Sequence, residues 1–344
     1  MAERLTYAAS GVDRGTREKA KATLAFLKNT YSLSHYGEII ETPFNVLYPL
    51  GLGTNIYQVK TSDGVGTKVL IAELAEKHDT IGIDAVAMVA NDCIRCGAAP
   101  LAITDTIDVK KSTPELLGEL QKGLGEGARE ADCPLVGGET ADVPELMATA
   151  YQINADCVGN VGKDEIIDGS RIKHGDVIIG IRSSGLHSNG ISLARKALFR
   201  KWGGKYCGGE VVESTGRTIL HEALEPTRIY VKQFLKLRKK VDVLGAVHIT
   251  GDAYLKFRKL TAHGMRFNNF KPQEIFALVQ SAGKVEMPEM FKTFNMGWGF
   301  ALFVREEEAE SALQSLGDNA EAIGEVVREN SVLIEHAGKK IRLM

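Results

Sequence analysis

The region that decides the fold is residues 177–202, which read VIIGIRSSGLHSNGISLARKALFRKW. The apolar run Val177–Arg182 predicts a strand, and the apolar period of Ile191–Trp202 predicts a helix. The loop between them, Ser183–Gly190, is rich in serine and glycine, so it offers hydroxyls and backbone amides where the helix starts. A helix N-terminus attracts anions, and His187 adds a group that titrates near neutral pH. The stretch predicts a strand–loop–helix unit with an anion-binding turn.

A plain helix cap is the alternative interpretation of this loop. Ser188 or Asn189 would then cap the helix, and His187 would be exposed. One cap does not require the whole cluster of hydroxyls and glycines, so we favour a binding function.

Outside this unit, strands and helices alternate without a regular βαβ repeat. Adjacent strands favour mixed sheets and the α+β class over a doubly wound parallel sheet. The charged, glycine-rich segment Gly162–Asp176 predicts a domain boundary, with domains at 1–170 and 171–344. The other predicted strands are Ile56–Lys60, Val69–Ala72, Leu101–Val109, Leu135–Val136, Tyr151–Val161, Val243–Ile249, Gly299–Val304, Ala322–Val327 and Ser331–Ile334. The other predicted helices are Thr16–Asn29, Ile81–Cys96, Pro114–Glu130, Pro226–Lys239, Ala253–Leu260, Pro272–Val279 and Glu306–Leu316.

Composition bounds the class of protein. The chain has 344 residues, and its 42 Lys+Arg against 44 Asp+Glu give a net charge of −2, which argues against binding nucleic acid. It contains no apolar run of about 18 residues, the length that a membrane span needs, and its start lacks the apolar core of a signal peptide. The chain has five cysteines, a small and odd number that cannot form a full disulfide framework. We therefore expect a reduced, cytoplasmic, two-domain protein without a membrane partner.

Two glycine-containing motifs suit phosphate or metal chemistry. In Ser62–Lys68, glycines let the backbone approach a ligand, Asp63 can hold a divalent ion and Lys68 can meet phosphate. In Gly137–Asp142, two glycines precede a carboxylate and a hydroxyl, which suits a nucleotide phosphate and its metal. Each has an equal local alternative: a hairpin turn for the first, and a turn with a helix cap for the second.

The helix predicted at 81–96 carries polar groups in an apolar run. Asp84, Met88 and Asp92 recur at four-residue spacing, so both carboxylates lie on one face. Metal binding is one interpretation, and a solvated face is the other. Cys93 and Cys96 fall on the apolar stripe without further ligands, so we interpret both as small core residues rather than a zinc or redox pair.

The order of motifs resembles the phosphoribosylformylglycinamidine cyclo-ligases, also called aminoimidazole ribonucleotide synthetases. Each motif is weak alone, but the ordered set is specific and covers nearly the whole chain. The motifs are Ser10-Gly-Val-Asp13, Asp63-Gly-Val-Gly-Thr-Lys68, His78-Asp-Thr-Ile-Gly-Ile-Asp84, Asn91-Asp92, Gly137-Gly-Glu-Thr140, Ile166-Ile-Asp-Gly169, Ser183-Ser-Gly-Leu-His-Ser-Asn-Gly190, Pro226-Thr-Arg-Ile-Tyr230, His248-Ile-Thr-Gly251 and Thr293-Phe-Asn-Met-Gly297.

The resemblance implies an enzyme of purine biosynthesis. It would use ATP and Mg²⁺ to close formylglycinamidine ribonucleotide to 5-aminoimidazole ribonucleotide, through an imidate phosphate, with release of ADP and phosphate. It also implies a homodimer. The N-terminal ATP-binding domain would form an intersubunit β-barrel with its copy, and the C-terminal α/β sandwich domain would bind the substrate.

The resemblance further implies residue roles. The ATP-binding residues would be Asp63, Gly64, Gly66, Thr67, Lys68, Asn91, Asp92, Gly137, Gly138, Glu139 and Thr140. The metal ligands would be Asp63, Asp92 and Glu139. The substrate-phosphate residues would be Ser183, Ser184, Ser188, Asn189 and Thr250. The catalytic residues would be His187, Lys68 and His248.

The chain departs from the family's pattern at two places. Gly251-Asp252-Ala253 stands where the family has a glycine run, and Cys93 and Cys96 are also unusual. The alternatives are another ATP-using enzyme of the superfamily, such as formylglycinamidine ribonucleotide synthetase, selenophosphate synthetase or thiamine-monophosphate kinase, and a non-catalytic nucleotide-binding regulator. The reactive cysteine of selenophosphate synthetases would lie in the N-terminal loop, whereas the first cysteine here is Cys93.

Overall fold

The computed structural model describes residues 4–343, and of residues 21–27 it describes the backbone alone. The first half of the chain forms a six-stranded sheet in the order β1-β2-β3-β6-β4-β5. Neighbouring strands are antiparallel except β4 and β5, which are parallel. The strands are β1 Ile40–Glu41, β2 Val46–Pro49, β3 Ile56–Gly64, β4 Ala99–Val109, β5 Leu135–Asp142 and β6 Tyr151–Gly162.

Two long helices cover one face of this sheet. Strand β6 alternates buried positions with exposed or half-buried ones from Tyr151 onward, because successive side chains point to opposite faces, and its buried side faces the helices. The two helices, α3 and α4, approach closely: a Cβ at Gly82 would lie 2.2 Å from the backbone nitrogen of Leu124, so only glycine fits there. The helices of this half are α1 Arg14–Ala22, α2 Val69–Ala75, α3 Ile81–Ile94 and α4 Pro114–Ala131.

The second half forms a seven-stranded sheet in the order β13-β12-β9-β11-β7-β10-β8. Only the β9–β12 pair is parallel. Its strands are β7 Val177–Arg182, β8 Gly245–His248, β9 Gly264–Phe267, β10 Trp298–Val304, β11 Ala320–Val327, β12 Val332–His336 and β13 Lys339–Arg342. Its helices are α5 Ile191–Leu198, α6 Ile219–Leu224, α7 Val231–Leu237, α8 Glu274–Gly283, α9 Met287–Thr293 and α10 Ala309–Leu316.

The predicted α+β class with mixed sheets is confirmed, and the deciding stretch forms β7, a loop and α5. Within residues 4–343, no helix is both long and apolar enough to cross a lipid bilayer.

Several predicted elements are wrong in type or extent. Helix α5 ends at Leu198, before the predicted Trp202, and the helix predicted at Ala253–Leu260 is a 3₁₀ helix. Val69–Ala72 is the first turn of helix α2, because a short buried apolar run has no period that separates helix from strand. Leu135–Val136 begins an eight-residue strand whose Val136 is exposed. The helix predicted at Thr16–Asn29 ends at Ala22 and continues as a 3₁₀ helix. The helix predicted from Pro226 begins only at Val231, because residues 226–230 bond to the first half of the chain instead.

Candidate functional site

A polar cavity of about 320 Å³ lies where the two halves of the chain meet. Four residues of the predicted site line it: Asp63 and Asp92 from the first half, and Asn189 and Thr250 from the second. Four cations that the sequence analysis did not single out line it as well. These are Arg17, Arg95, Lys256 and Lys259. The cavity therefore combines carboxylates with an excess of positive charge, which suits a phosphorylated ligand.

Element ends bring these residues together. Asp63 is the second-last residue of β3, which the long antiparallel pairing with β6 holds in register. Asp92 lies in the last turn of α3. Asn189 precedes α5, and its Oδ1 accepts a hydrogen bond of 2.9 Å from the backbone N–H of Gly251, just after Thr250. The two loops of the second half are thereby tied to each other at the cavity.

The two carboxylates of the cavity differ in their partners. Asp92 forms an ion pair with Arg95 at 3.0 Å and bonds Nδ1 of His248 at 2.8 Å. Burial alone would raise the pKa of Asp92, but the charge of Arg95 and the bond to His248 hold it well below its usual range. Asp63 accepts a bond of 2.8 Å from the Gly64 N–H and forms no ion pair within residues 4–343. Loss of hydration raises the pKa of Asp63, and the nearby Asp92 charge raises it further.

The polar face of α3 is buried against the second half of the chain. Asp84 is fully buried and accepts bonds from Lys68, Ser188 and both the N–H and the hydroxyl of Thr227, at 2.6 to 2.9 Å. The side chain of Asn91 donates to the carbonyl of Arg228 and accepts from the N–H of Tyr230, both at 2.9 Å. The solvated-face alternative is therefore wrong. Asp84 and Asn91 join the two halves and do not line the cavity.

The side chains of the predicted phosphate-binding motif Ser62–Lys68 lie in three different places. Asp63 lines the cavity between the halves. Gly66 and Thr67 line a second cavity, of about 250 Å³, beside Asn154. Lys68 is fully buried: its ammonium pairs with Asp84 at 2.8 Å and donates to the carbonyl of Glu225 at 2.7 Å. Neither a hairpin turn nor a strand pair follows Asp63, because a 3₁₀ turn leads directly into α2.

The second glycine motif lies apart from both cavities. Gly137, Gly138, Glu139 and Thr140 belong to β5, an edge strand of the first sheet, and all are exposed. The alternative of a turn followed by a helix cap is wrong, because the strand continues to Asp142. Within one chain, Glu139 does not join Asp63 and Asp92.

The serines of the loop Ser183–Gly190 form hydrogen bonds with other groups of the protein. Ser184 donates to the carbonyl of Pro226 at 2.5 Å, Ser188 bonds Asp84, and Ser183 is buried beside Gln273. The capping alternative is wrong: the N-cap of α5 is Gly190, in the left-handed region at φ 72°, and no side chain caps the helix.

Both candidate catalytic histidines are buried. His187 accepts a bond of 3.2 Å at Nε2 from the Ser184 N–H, and its Nδ1 has no partner in the described part of the chain. Burial lowers the pKa of His187 well below its usual value. Burial also lowers the pKa of His248, although its bond to Asp92 opposes that shift. The expectation of an exposed His187 in the capping alternative is wrong, and both rings are neutral near pH 7.

The interpretation of the cysteines as core residues is confirmed, since Cys93 and Cys96 are buried in the apolar core. Across residues 4–343, no group of three or more His, Cys, Asp or Glu side chains is close enough to hold a metal ion by itself. Of the missed cavity residues, Arg95 had a signal in the sequence, because it follows Asp92 by one helical turn. The sequence carried no such signal for Lys256, because this residue lies beyond the motif His248–Gly251.

Comparisons with known proteins identify the family of the chain. The family model for the N-terminal domain of AIR synthase related proteins matches residues 46–161, and the model for the C-terminal domain matches residues 173–336. The phosphoribosylformylglycinamidine cyclo-ligase of Pyrococcus furiosus is 42% identical over 98% of this chain and 99% of its own. The enzyme of that name from Carboxydothermus hydrogenoformans is 44% identical over 96% of this chain and 99% of its own.

Among solved structures, the hydrogenase maturation protein HypE in complex with ATP has a similar fold, with a TM-score of 0.60 and 19% identity over 97% of this chain and 95% of that one. At that identity the likeness concerns the fold. The sequence matches over nearly full length are the stronger finding, and by them the chain belongs to the AIR synthase family, among the phosphoribosylformylglycinamidine cyclo-ligases.

Proposed function

We propose that this chain closes formylglycinamidine ribonucleotide to 5-aminoimidazole ribonucleotide at the expense of ATP, in purine biosynthesis in the cytoplasm. The observation that carries the proposal is the 42% identity, over nearly the full length, to a phosphoribosylformylglycinamidine cyclo-ligase. The cavity between the halves supports it, because Asp63, which forms no ion pair within residues 4–343, and several cations line the same space.

The chemistry of the proposed reaction explains why a cavity lined by carboxylates and cations is enough for catalysis. An amide oxygen is a poor leaving group, so the γ-phosphoryl group of ATP is first transferred to the formyl oxygen and ADP leaves. The amidine nitrogen then attacks the formyl carbon, the C–O bond breaks with release of phosphate, and the nitrogen loses a proton. Phosphoryl transfer asks the protein for position and charge rather than covalent chemistry.

The residues of the cavity fit a magnesium ion that arrives with a nucleotide. Mg²⁺ is typically bound by one or two carboxylates together with substrate phosphates, and bound Mg²⁺ would offset the negative charge of the transferring phosphoryl group. Asp63 is the best candidate ligand because it has no ion-pair partner in residues 4–343. Asp92 would be the second, oriented by Arg95 and His248. His248 thus acts through Asp92.

The remaining roles follow from where the side chains lie. Asn189 and Thr250 face the cavity and would contact the substrate phosphate, whereas Ser183, Ser184 and Ser188 would shape their loop. His187 would hold that loop through the Ser184 N–H. Gly66 and Thr67 would contact ATP from the second cavity, and the backbone at Gly64 would do so beside Asp63. Asn91 would support the site indirectly, through its bonds to Arg228 and Tyr230. Lys68 would have to leave its ion pair with Asp84 before it could reach a triphosphate.

We assign residues 1–170 to ATP binding and dimerisation, and residues 171–344 to substrate binding. A homodimer with an intersubunit barrel is supported by β5, which within residues 4–343 pairs on one side only, with β4. Unpaired edges invite pairing with another chain, and Val136 and Leu146 near this edge are 61% and 81% exposed. The partner's barrel would then also cover Gly137, Gly138, Glu139 and Thr140, which are exposed and line neither of the two cavities described above.

Sedimentation equilibrium tests the dimer. We expect a mass twice the chain mass of 37.4 kDa, and we expect Val136→Asp to lower it toward the monomer, because a charge would be buried at the paired edge. Leu50→Asp, at another exposed apolar position, is the control. A monomeric wild-type chain would contradict the proposal.

The proposed reaction is tested by incubating the protein with formylglycinamidine ribonucleotide, ATP and Mg²⁺. We expect ADP and aminoimidazole ribonucleotide in equal amounts, and neither product when Mg²⁺ is omitted. ADP without the imidazole would point to a sister enzyme with another phosphoryl acceptor. Bound ATP without either product would favour a nucleotide-binding regulator.

A further inference from the structure

Lys256 lines the cavity and uses little of its hydrogen-bonding capacity. It lies in the 3₁₀ helix Ala253–Lys259 that follows β8, and its ammonium donates to the hydroxyl of Thr250. It forms no ion pair within residues 4–343. An ammonium has three N–H donors, so two of them are free to meet a ligand in the cavity.

The two neighbours of Lys256 present donors to the same space. Because the hydroxyl oxygen of Thr250 accepts from Lys256, its hydrogen is free to point toward the cavity. Asn189 accepts from the Gly251 N–H at Oδ1, and among the described residues its NH₂ group contacts only the sulfur of Met88, at 3.8 Å. An ammonium, a hydroxyl and an amide therefore converge as donors, which is the arrangement that an oxyanion needs.

The backbone that carries Lys256 adopts an uncommon conformation. Asp252 and Ala253 lie consecutively in the left-handed region, at φ 65° and 36°, which is costly for residues other than glycine. The side chain of Asp252 is held by Arg14 at 3.3 Å, and Arg14 is itself bound to Glu289 at 2.9 Å. This anchoring fixes the start of the 3₁₀ helix and with it the position of Lys256.

We propose that Lys256, with Thr250 and Asn189, binds the phosphomonoester of the ribonucleotide substrate. The assignment rests on the proposed function, because it takes a ribose 5-phosphate group as the ligand. Burial lowers the pKa of Lys256 to about 8, although the charges of Asp92 and other carboxylates oppose that shift. The ammonium thus stays mostly protonated at pH 7 and gains a counter-charge when a phosphate binds.

Chemical labelling of the unmodified protein tests this without relying on turnover. An amine-reactive acetylating reagent should label Lys256 in the free protein, as read by peptide mass spectrometry. Ribose 5-phosphate should slow that labelling at least about fivefold, whereas ribose should not, and labelling of Lys236, an exposed lysine on α7, should not change. Equal labelling of Lys256 with and without ribose 5-phosphate would overturn the proposal.

Kinetics separate the substrate phosphate from the phosphates of ATP. Lys256→Met should raise KM for formylglycinamidine ribonucleotide about 10- to 100-fold, the loss expected for a hydrogen bond to a charged group, and should change KM for ATP less than about threefold. Lys256→Arg, which keeps the charge, should lose less than Lys256→Met, and Lys236→Met should match the wild type. A rise confined to KM for ATP would place Lys256 on the triphosphate and overturn the assignment.

Failure of the inference can be told from failure of the proposed function. If the wild-type protein forms aminoimidazole ribonucleotide but Lys256 responds to neither test, the inference alone is wrong. If no imidazole forms while ribose 5-phosphate still protects Lys256, the phosphate site stands and the reaction is wrong.

Discussion

Asp63→Asn should abolish turnover and leave the fold intact. We expect kcat/KM to fall at least about 100-fold, since even residues that only support a metal ligand cost 10- to 100-fold when changed. The free energy of unfolding should change by less than about 1 kcal/mol. The asparagine oxygen can still accept the bond from the Gly64 N–H, and Asp63 has no ion pair to lose within residues 4–343.

The measurement pairs the ADP and imidazole assay with urea unfolding of the same preparation. Asp156→Asn is a matched control: this carboxylate lies on neighbouring β6, opposite Ser62, and forms only a loose pair with exposed Lys60 at 3.6 Å. Its activity should stay near the wild-type value. Full activity in Asp63→Asn would remove Asp63 from the metal site.

Lys68→Met should destabilise the protein by about 3–5 kcal/mol, the loss expected when one partner of a buried ion pair is removed. The charge of Asp84 would stay buried with only neutral donors, from Ser188 and Thr227. The carbonyl of Glu225 would also lose its donor. Adding Asp84→Asn to the variant should recover part of the loss, because the uncompensated charge is then gone.

Urea unfolding checks this, with Lys60→Met as the control, since exposed ion pairs contribute at most about 1 kcal/mol. The experiment also decides the role of Lys68. A variant as stable as the wild type, but with weaker ATP binding, would mean that Lys68 serves the triphosphate. A large loss of stability would assign it to the junction between the halves.

The accuracy of the predicted helices and strands depended on the length of their hydrophobic pattern. Long periodic segments such as Tyr151–Gly162 and Ile81–Ile94 were predicted nearly to their ends, because many residues repeat the same pattern. The four-residue run Val69–Ala72 was not, because burial on all sides leaves no period to read.

The motifs name candidate residues but not a geometry. Asp63, Asp92, Asn189 and Thr250 line one cavity, whereas Lys68 and Glu139 do not, and the roles of all of them stay predictions. The order of residues does not tell which side chains a tight turn directs inward, and so it could not show that Lys68, five residues after Asp63, pairs with Asp84. Lys68 and Asp84 are 16 residues apart in the sequence. Asp84 also accepts bonds from Thr227, which lies in the other half of the chain.

The buried polar stripe on α3 bears on how this protein could evolve and fold. Asp84, Asn91 and Asp92 each have at least one hydrogen-bond partner in the second half of the chain, beside the ion pairs that Asp84 and Asp92 form with Lys68 and Arg95 of the first half. A first half made alone would therefore lose the second-half partners of two carboxylates and an amide, which lie near the two ends of α3. We therefore expect the two halves, although each has its own sheet, to unfold as a single cooperative unit and not to behave as interchangeable modules. An exchange of one half with a distant relative would succeed only if the groups facing α3 were transferred with it.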